Sequence, residues 1–245
     1  DIVVFGYSQG GAVVADVLDG YIAGLPSEQK ARIQVVTIGG IENPDGGLWQ
    51  RLAFLNYIPL LDISFNPPMR PDTGVNYVSY GFEYDPVVNA PRYFTNPFAL
   101  LNAFAAFENV HGYYLAPNGN GPTDTLPFGY TDATLAPQLD CSVSPGNCRY
   151  DGLGNTYIMI PALTLPIADF ILSSTPSLLT PVVKPLVDLV APAFRLLADL
   201  GYNYSGNPGV PTPLSLLPFD PATFQPVAFA EEFLAAIAEG IHDAT

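Results

Sequence analysis

The first forty residues combine two short apolar runs with a helical pattern of apolar positions between them. An apolar, β-branched run over residues 1–5 ends at Gly6, and apolar residues at helical spacing follow from Ala12 to Ile22. A second apolar run covers residues 33–38 and is closed by two glycines. The order of strand, helix and strand predicts a βαβ unit, and therefore a parallel sheet.

The remaining pattern predicts one further strand over 76–82 and helices over 98–107 and 228–241. The tract 163–200 is apolar and interrupted by prolines, which favours several short amphipathic helices that begin near prolines. Residues 203–226 are typical of a loop. We predict an α/β fold with a mostly parallel sheet and flanking helices, followed by a Pro-rich apolar helical cap region.

The composition supports one folded unit. The chain has 245 residues, of which 49% are apolar and 13% are charged, so it is long enough and apolar enough to bury a core. We predict a single domain over 1–245, with 156–226 as a cap or acyl-binding insertion. For 163–200 the alternative is a set of ordinary core helices.

The charge excludes one large class of partners. The formal net charge is −15, with only eight Lys plus Arg, and such a surface repels the phosphates of nucleic acids and of anionic membranes. No apolar stretch reaches the roughly 18–20 residues that a transmembrane helix needs. The uncharged run 152–168 contains two prolines, so we expect no transmembrane span.

The two cysteines, Cys141 and Cys148, flank a turn-forming segment over 144–147. We predict that they form a local disulfide, which implies an oxidising compartment. The alternative is a pair of reduced surface thiols. A metal site is not expected, because no histidine lies nearby and two cysteines do not complete a zinc site.

Residues 6–10 have the sequence GYSQG, a G-x-S-x-G pentapeptide between the first predicted strand and helix. In that context the serine lies on a sharp, strained turn, and its small neighbours let the helix approach the sheet. Ser8 is the predicted nucleophile. The backbone N–H of Gln9 is the predicted oxyanion donor, aided by the helix dipole. The alternative is that Ser8 merely caps the helix.

A serine hydroxyl needs a base, and the chain contains two histidines, His111 and His242. His242 lies near the end of the last predicted helix, where we expect it to be solvated. His111 follows a predicted helix and comes after Ser8, in the chain order Ser, acid, His of an α/β-hydrolase. His111 is therefore the predicted general base.

The acid partner is expected between Gly40 and His111, just after a strand. Asp85 follows the predicted strand over 76–82 and precedes Pro86, so we predict that it holds the histidine tautomer and stabilises the imidazolium. Asp62 is the second choice, and for Asp85 the alternative is an Asx-type turn. The acidic residues in this interval are Glu42, Asp45, Asp62, Asp72, Glu83, Asp85 and Glu108.

Four stretches resemble the PE-PPE domain family of mycobacterial serine hydrolases and acyltransferases, and the first is also similar to cutinases. They are GYSQGG with the small-residue helix after it, YDPVVNAPRYFTNPFALLNAFAAFENVHGYY (84–114), NTYIMIPALTLPIADFI (155–171) and PVVKPLVDLVAPAFRLLADLGY (181–202). The resemblance covers nearly the whole chain. An α/β-hydrolase has several strands before its nucleophile strand. We therefore expect the N-terminal strands, and a second oxyanion donor, to lie upstream of this sequence.

The resemblance implies that Ser8, Asp85 and His111 form a catalytic triad. It further implies esterase, lipase or acyltransferase chemistry on acyl esters or thioesters, with water or a sugar or lipid hydroxyl as acceptor, in a secreted or cell-envelope protein. No metal or organic cofactor is implied. The rival hypothesis is an inactive hydrolase fold that binds lipid or a partner protein, and a third is a structural envelope protein without triad geometry.

Overall fold

A five-stranded sheet forms the centre of the molecule. The computed structural model describes residues 1–60, 62–65, 67–115 and 126–245. The strands are β1 (Ile2–Tyr7), β2 (Ile33–Ile38), β3 (Tyr57–Ile58), β4 (Ile63–Ser64), β5 (Asn76–Phe82), β6 (Cys148–Tyr150) and β7 (Thr156–Ile160). The helices are α1 (Gln9–Gly20), α2 (Ser27–Lys30), α3 (Leu48–Arg51), α4 (Pro97–Asn109), α5 (Asp132–Leu135), α6 (Pro166–Ser174), α7 (Thr180–Asp199) and α8 (Pro226–Asp243).

The sheet has the order β1-β2-β5-β7-β6, and its first four strands are parallel. Only β6, at one edge, runs antiparallel to its neighbour, and β3 and β4 form a separate small hairpin. The predicted α/β class with a mostly parallel sheet is therefore confirmed. In the register, Tyr7 is paired with Ile38, and Ile38 with Tyr80. The turns after β1, β2 and β5 thus meet at the carboxyl edge of the sheet, where ligands bind in open α/β folds.

Each face of the sheet carries its own apolar core. Helix α1 covers one face, and helix α4 with the segment after it covers the other. The buried residues of the first core include Val14, Leu18, Val35, Tyr77 and Tyr157. Those of the second include Phe82, Val110, Tyr114, Phe128 and Ile160. The second core reaches the carboxyl edge of the sheet and fixes the start of the segment that follows α4.

The tract 163–200 forms two helices, α6 and α7, rather than several short ones. Helix α7 continues through Pro185 and Pro192. A proline inside a helix removes one backbone hydrogen bond and usually kinks the helix or ends it. These two prolines are two turns apart and therefore on the same side, so the missing bonds are confined to one side of α7.

Helices α7 and α8 pack closely together. A Cβ placed on Gly240 of α8 would lie 2.1 Å from the carbonyl oxygen of Leu189 in α7, so only glycine fits at this crossing. Both helices also have exposed apolar side chains, among them Leu186 and Leu234. Even so, none of the helices in the described ranges has the length and apolarity needed to cross a bilayer.

The predicted disulfide between Cys141 and Cys148 is confirmed. The two Cα atoms are 5.8 Å apart. Cys148 is the first residue of β6, so the bridge ties the short edge strand to the turn that precedes it. A covalent link of this kind restricts the unfolded chain and holds the end of a three-residue strand that has few hydrogen bonds of its own.

Candidate active site

The turn between β1 and α1 holds Ser8 in a strained conformation. Its φ is 54° and its ψ is −124°, a region that residues with a side chain rarely adopt. The backbone N–H of Ser8 donates to the carbonyl of Ile38 at 3.0 Å, which fixes the turn against β2. The Ser8 side chain makes no capping hydrogen bond to the helix, so the cap alternative is wrong.

The Ser8 hydroxyl is the end of a hydrogen-bonded chain of three side chains. Its Oγ lies 2.8 Å from Nε2 of His111. The other ring nitrogen, Nδ1, lies 3.0 and 3.1 Å from the two carboxylate oxygens of Asp85. Ser8 is half-buried, His111 is buried and Asp85 is fully buried. The structure thus brings together the three residues that the sequence nominated.

Asp85 is fixed by the tight turn that follows β5. The preceding residue, Tyr84, has a positive φ of 65°, which turns the chain sharply after the strand. Oδ1 of Asp85 accepts the backbone N–H of Val87 at 2.9 Å. The carboxylate therefore forms an Asx-type turn and also contacts the histidine, so the turn and the partnership with His111 are both present. The local backbone contacts orient the carboxylate of Asp85.

Tyr114 binds the same carboxylate from a second direction. Its hydroxyl donates to Oδ2 of Asp85 at 2.6 Å and accepts the backbone N–H of Phe82 at 2.7 Å. Burial, followed by the negative charge of Asp85, raises the pKa of Tyr114 well above its ordinary value, so the phenol stays protonated and donates. Sequence reasoning missed Tyr114. The sequence feature that could have indicated Tyr114 is its position three residues after His111, within one helical turn.

Two aromatic rings stack on the imidazole of His111. Tyr7 stacks on it with centroids 5.7 Å apart, and Phe107 with centroids 5.8 Å apart and planes inclined by only 8°. The Tyr7 hydroxyl also donates to the backbone carbonyl of His111. Burial and the charge of Asp85 raise the pKa of Tyr7. The two rings leave the imidazole little freedom to tilt, and neither was predicted to take part in the site.

The N-terminus of α1 supplies the groups suited to a negative charge beside Ser8. Gln9 is the first residue of this 12-residue helix and is exposed to solvent. The first N–H groups of a helix have no partner within it, and the helix dipole places positive potential there. Gln9 thus lies at the helix N-terminus next to Ser8, and the role of its N–H as an oxyanion donor stays a prediction.

A buried carboxylate lies behind the same helix terminus. Glu42, just after β2, is fully buried, and burial raises the pKa of its carboxyl from the ordinary 4.5 to about 7. The hydroxyl of Tyr77 donates to its Oε1 at 3.3 Å, while Oε2 has no partner within the described residues. A Cβ on Gly11 would lie 2.0 Å from Oε2. Glu42 was among the candidate acids, and it packs beneath α1 rather than against the histidine.

The other candidates of the sequence lie elsewhere. Asp62 is exposed and accepts the hydroxyl of Tyr57 at 2.7 Å. His242 is exposed near the end of α8, as expected from the sequence. Across the described part of the chain, no group of three or more His, Cys, Asp or Glu side chains is arranged to hold a metal ion. The arrangement around Ser8 is suited to nucleophilic attack assisted by a base.

Comparison with known proteins places the chain in a family. A family model described as the PE-PPE domain matches residues 1–203. The PE family protein PE3 of Mycobacterium tuberculosis (strain ATCC 25618 / H37Rv) is 34% identical over 98% of this chain and 46% of its own length. Esterase PE16 of the same strain is 30% identical over 97% of this chain and 40% of its own length.

A third relative, the uncharacterized PPE family protein PPE42 of Mycobacterium tuberculosis (strain CDC 1551 / Oshkosh), is 30% identical over 89% of this chain and 33% of its own length. The chain thus spans less than half the length of these curated relatives. No solved structure matches it significantly. The family match over residues 1–203 includes every described strand and the whole Ser8 site, and the chain therefore belongs to the PE-PPE domain family.

Proposed function

We propose that this chain is a serine esterase that acts on acyl esters or thioesters through an acyl-serine intermediate. The observation that carries the proposal is the chain of contacts from Ser8 Oγ to His111 Nε2 at 2.8 Å and from His111 Nδ1 to Asp85 at 3.0 Å. These separations are within the range over which a base activates a nucleophile and is itself oriented by a third group. The similarity to a protein named an esterase supports the same reaction class.

In the first step, Nε2 of His111 takes the proton of the Ser8 hydroxyl while Oγ forms a bond to the acyl carbon. The carbonyl electron pair moves to oxygen, where the Gln9 N–H and the dipole of α1 stabilise the negative charge. When the tetrahedral intermediate collapses, the bond to the leaving alcohol or thiol breaks, and His111 returns the proton to it. Asp85 stays ionised and stabilises the imidazolium.

In the second step, an acceptor hydroxyl attacks the acyl-serine with His111 again as the base. Water as acceptor releases the acid, whereas a sugar or lipid hydroxyl gives a new ester. Ser8 is half-buried and Gln9 beside it is exposed, so water reaches the acyl carbon. This access favours hydrolysis, because transfer requires a site that excludes water and orients the acceptor.

We further propose that the protein works outside the cytoplasm, in a secreted or cell-envelope setting. The observation that supports this proposal is the Cys141–Cys148 disulfide, because disulfides persist in oxidising compartments. Acyl esters of envelope lipids are then the natural class of substrate. The net charge of −15 disfavours substrates with several negative charges.

The test combines covalent labelling with turnover. The chain should react with a fluorophosphonate probe and hydrolyse p-nitrophenyl butyrate, and Ser8→Ala should abolish labelling and lower kcat by about 10⁴-fold or more. His111→Ala should have a similar effect, because the hydroxyl is a poor nucleophile without its base. The matched control is Ser173→Ala, an exposed serine on α6, which should behave as the unaltered chain does.

Labelling that persists in the Ser8→Ala variant would overturn the assignment of the nucleophile. An unaltered chain that is folded but neither labels nor turns over any ester would favour the rival hypothesis, a hydrolase fold kept for binding. The ratio of transfer to hydrolysis is measured by adding a simple alcohol as acceptor. We expect hydrolysis to predominate.

A further inference from the structure

An exposed apolar stripe leads away from the histidine along α4. Phe107 covers the imidazole ring with one face and is still 52% exposed. Phe104 lies one turn earlier and is 59% exposed, and Leu100 and Leu101 follow another turn back. Residues three and four apart share one face of a helix, so these side chains form a continuous row that ends at His111. We call this row the α4 stripe.

The α4 stripe is supported from the side by α6. The ring of Phe104 contacts the ring of Phe170 edge-on, with centroids 6.3 Å apart. Phe170 is half-buried, and α4 and α6 pack along their length, with the side-chain amide of Asn102 accepting the N–H of Ile167 at 3.1 Å. The stripe is therefore a fixed surface rather than a set of loose side chains. It borders the segment 156–226 that the sequence nominated as an acyl-binding insertion.

The four side chains of the stripe are uncharged, and the exposed Glu108 lies at its histidine end, next to Phe107 and one turn after Phe104. Glu108 is the only charged residue of α4, and no charged residue lies between Arg92 and Glu108 in the sequence. Elsewhere this chain is strongly acidic, with a net charge of −15. An uncharged, exposed row of large apolar side chains that starts at a reacting group is suited to a ligand with a polar head and an apolar tail.

We infer that the α4 stripe binds the acyl chain of the ester substrate. This inference rests on the proposed function: the ester carbonyl lies at Ser8, Phe107 contacts the first carbons of the chain, and Phe104 with Leu101 contacts the later ones. From Phe107 back to Leu100 the helix rises about 10 Å at 1.5 Å per residue. A surface of that length distinguishes a medium-length acyl chain from an acetyl group, so the stripe sets chain-length preference.

The experiment measures kcat/KM for a series of dissolved p-nitrophenyl esters from acetate to laurate. We expect the octanoate-to-acetate ratio to fall about tenfold in Phe104→Ala, since each buried methylene is worth about 0.8 kcal/mol or roughly fourfold in rate. Leu101→Lys, at a site that is 54% exposed and therefore tolerant, should lower the same ratio. The matched control is Phe54→Ala, a phenylalanine that is 62% exposed on another element and should leave the ratio unchanged.

Three results would overturn the inference in distinguishable ways. If the chain labels at Ser8 and hydrolyses esters, but neither Phe104→Ala nor Leu101→Lys changes the ratio, the acyl chain binds elsewhere. If the variants lose activity only on esters presented in phosphatidylcholine vesicles, the stripe docks to a lipid surface instead of holding one chain. If nothing labels and no ester is hydrolysed, the proposed function fails and the acyl assignment fails with it.

Discussion

At the scale of single residues, Tyr114 has the contacts of a positioning group. Its hydroxyl donates to Asp85 Oδ2 at 2.6 Å, and Nδ1 of His111 contacts the same carboxylate. In Tyr114→Phe that hydrogen bond is lost, and with it one of the contacts that orient the Asp85 carboxylate toward His111. We expect kcat for p-nitrophenyl butyrate to fall about tenfold with little change in KM, because the base is less well oriented in the transition state while substrate binding is untouched.

The separate changes in kcat and KM distinguish this role from a purely structural one. If Tyr114 only filled space in the core, Tyr114→Phe, which keeps the ring, would leave both constants unchanged in the folded variant. Tyr113→Phe is the matched control, because Tyr113 precedes Tyr114 in the chain and is less buried. An unchanged kcat in the folded Tyr114→Phe variant would contradict the positioning role of the Tyr114 hydroxyl.

Sequence reasoning nominated Ser8, His111 and Asp85 because local pattern and chain order restrict them. A pentapeptide marks Ser8, only two histidines exist, and few carboxylates follow a strand. Tyr114 and Phe107 were missed because an aromatic residue in an apolar tract is usually part of the core. Their contacts with the Asp85–His111 pair depend on how α4 returns to the sheet, which the pattern does not encode.

At the scale of elements, the close approach of β1 and α1 is what aims the Ser8 hydroxyl. The two glycines of GYSQG differ in how strictly this approach requires them. A Cβ on Gly6 would lie 2.8 Å from the carbonyl oxygen of Gly10 and 2.9 Å from Cα of Gly11, both backbone atoms that cannot move aside. A Cβ on Gly10 would meet nothing within 4 Å. The G-x-S-x-G pattern requires glycine at both positions, whereas in the structure only Gly6 has no room for a Cβ.

We therefore expect opposite effects from two matched substitutions. Gly6→Ala should push α1 from β1, lower the free energy of unfolding by about 1–3 kcal/mol and slow fluorophosphonate labelling at least tenfold. Gly10→Ala should be neutral or stabilise by up to about 1 kcal/mol, since alanine favours a helix. Urea denaturation measures both. Equal destabilisation by the two substitutions would show that the spacing of β1 and α1 is not set by Gly6.

The element boundaries show which patterns encode structure strongly. The strands over 33–38 and 76–82 were predicted with the bounds that the structure has, because short β-branched runs between turn residues have few alternatives. Helices α4 and α8 extend the predicted ones by one or two residues at each end. The tract 163–200 was harder, because the breaking effect of Pro185 and Pro192 depends on whether packing against α4 and α8 offsets the missing hydrogen bonds.

At the scale of the whole molecule, the order of strand, helix and strand along the chain predicted a parallel sheet. It did not predict the order of the strands within that sheet. Strand β6 has three residues and pairs antiparallel with β7 at the edge of the sheet. A segment that short carries no clear period, and its pairing depends on the Cys141–Cys148 bridge and on β7. The net charge of −15 follows directly from the sequence. It bears on stability, because repulsion among the carboxylates makes the free energy of unfolding sensitive to their ionisation.

We expect the ionisation of Glu42 to contribute strongly to the change of the free energy of unfolding between about pH 4.5 and pH 7. Its carboxyl has a pKa of about 7 in the folded chain, raised by burial from the ordinary 4.5. Between these values the folded state holds a proton that the unfolded state has released, so stability falls as pH rises from about 4.5 through 7. Glu42→Gln removes the titration while keeping the shape. We expect the variant to gain on the order of 3 kcal/mol relative to the unaltered chain between pH 4.5 and pH 8.

The difference between the two chains isolates this group, because Glu83, Asp169 and Asp199 also have pKa values raised by burial and titrate in both. Glu28→Gln is the control for net charge, since it removes one unit of charge from an exposed helix position. Urea denaturation across the pH range measures the three chains. A stability difference between Glu42→Gln and the unaltered chain that does not change with pH would mean that the Glu42 carboxyl titrates normally. The unpartnered Oε2 beneath α1 would then have to be hydrated.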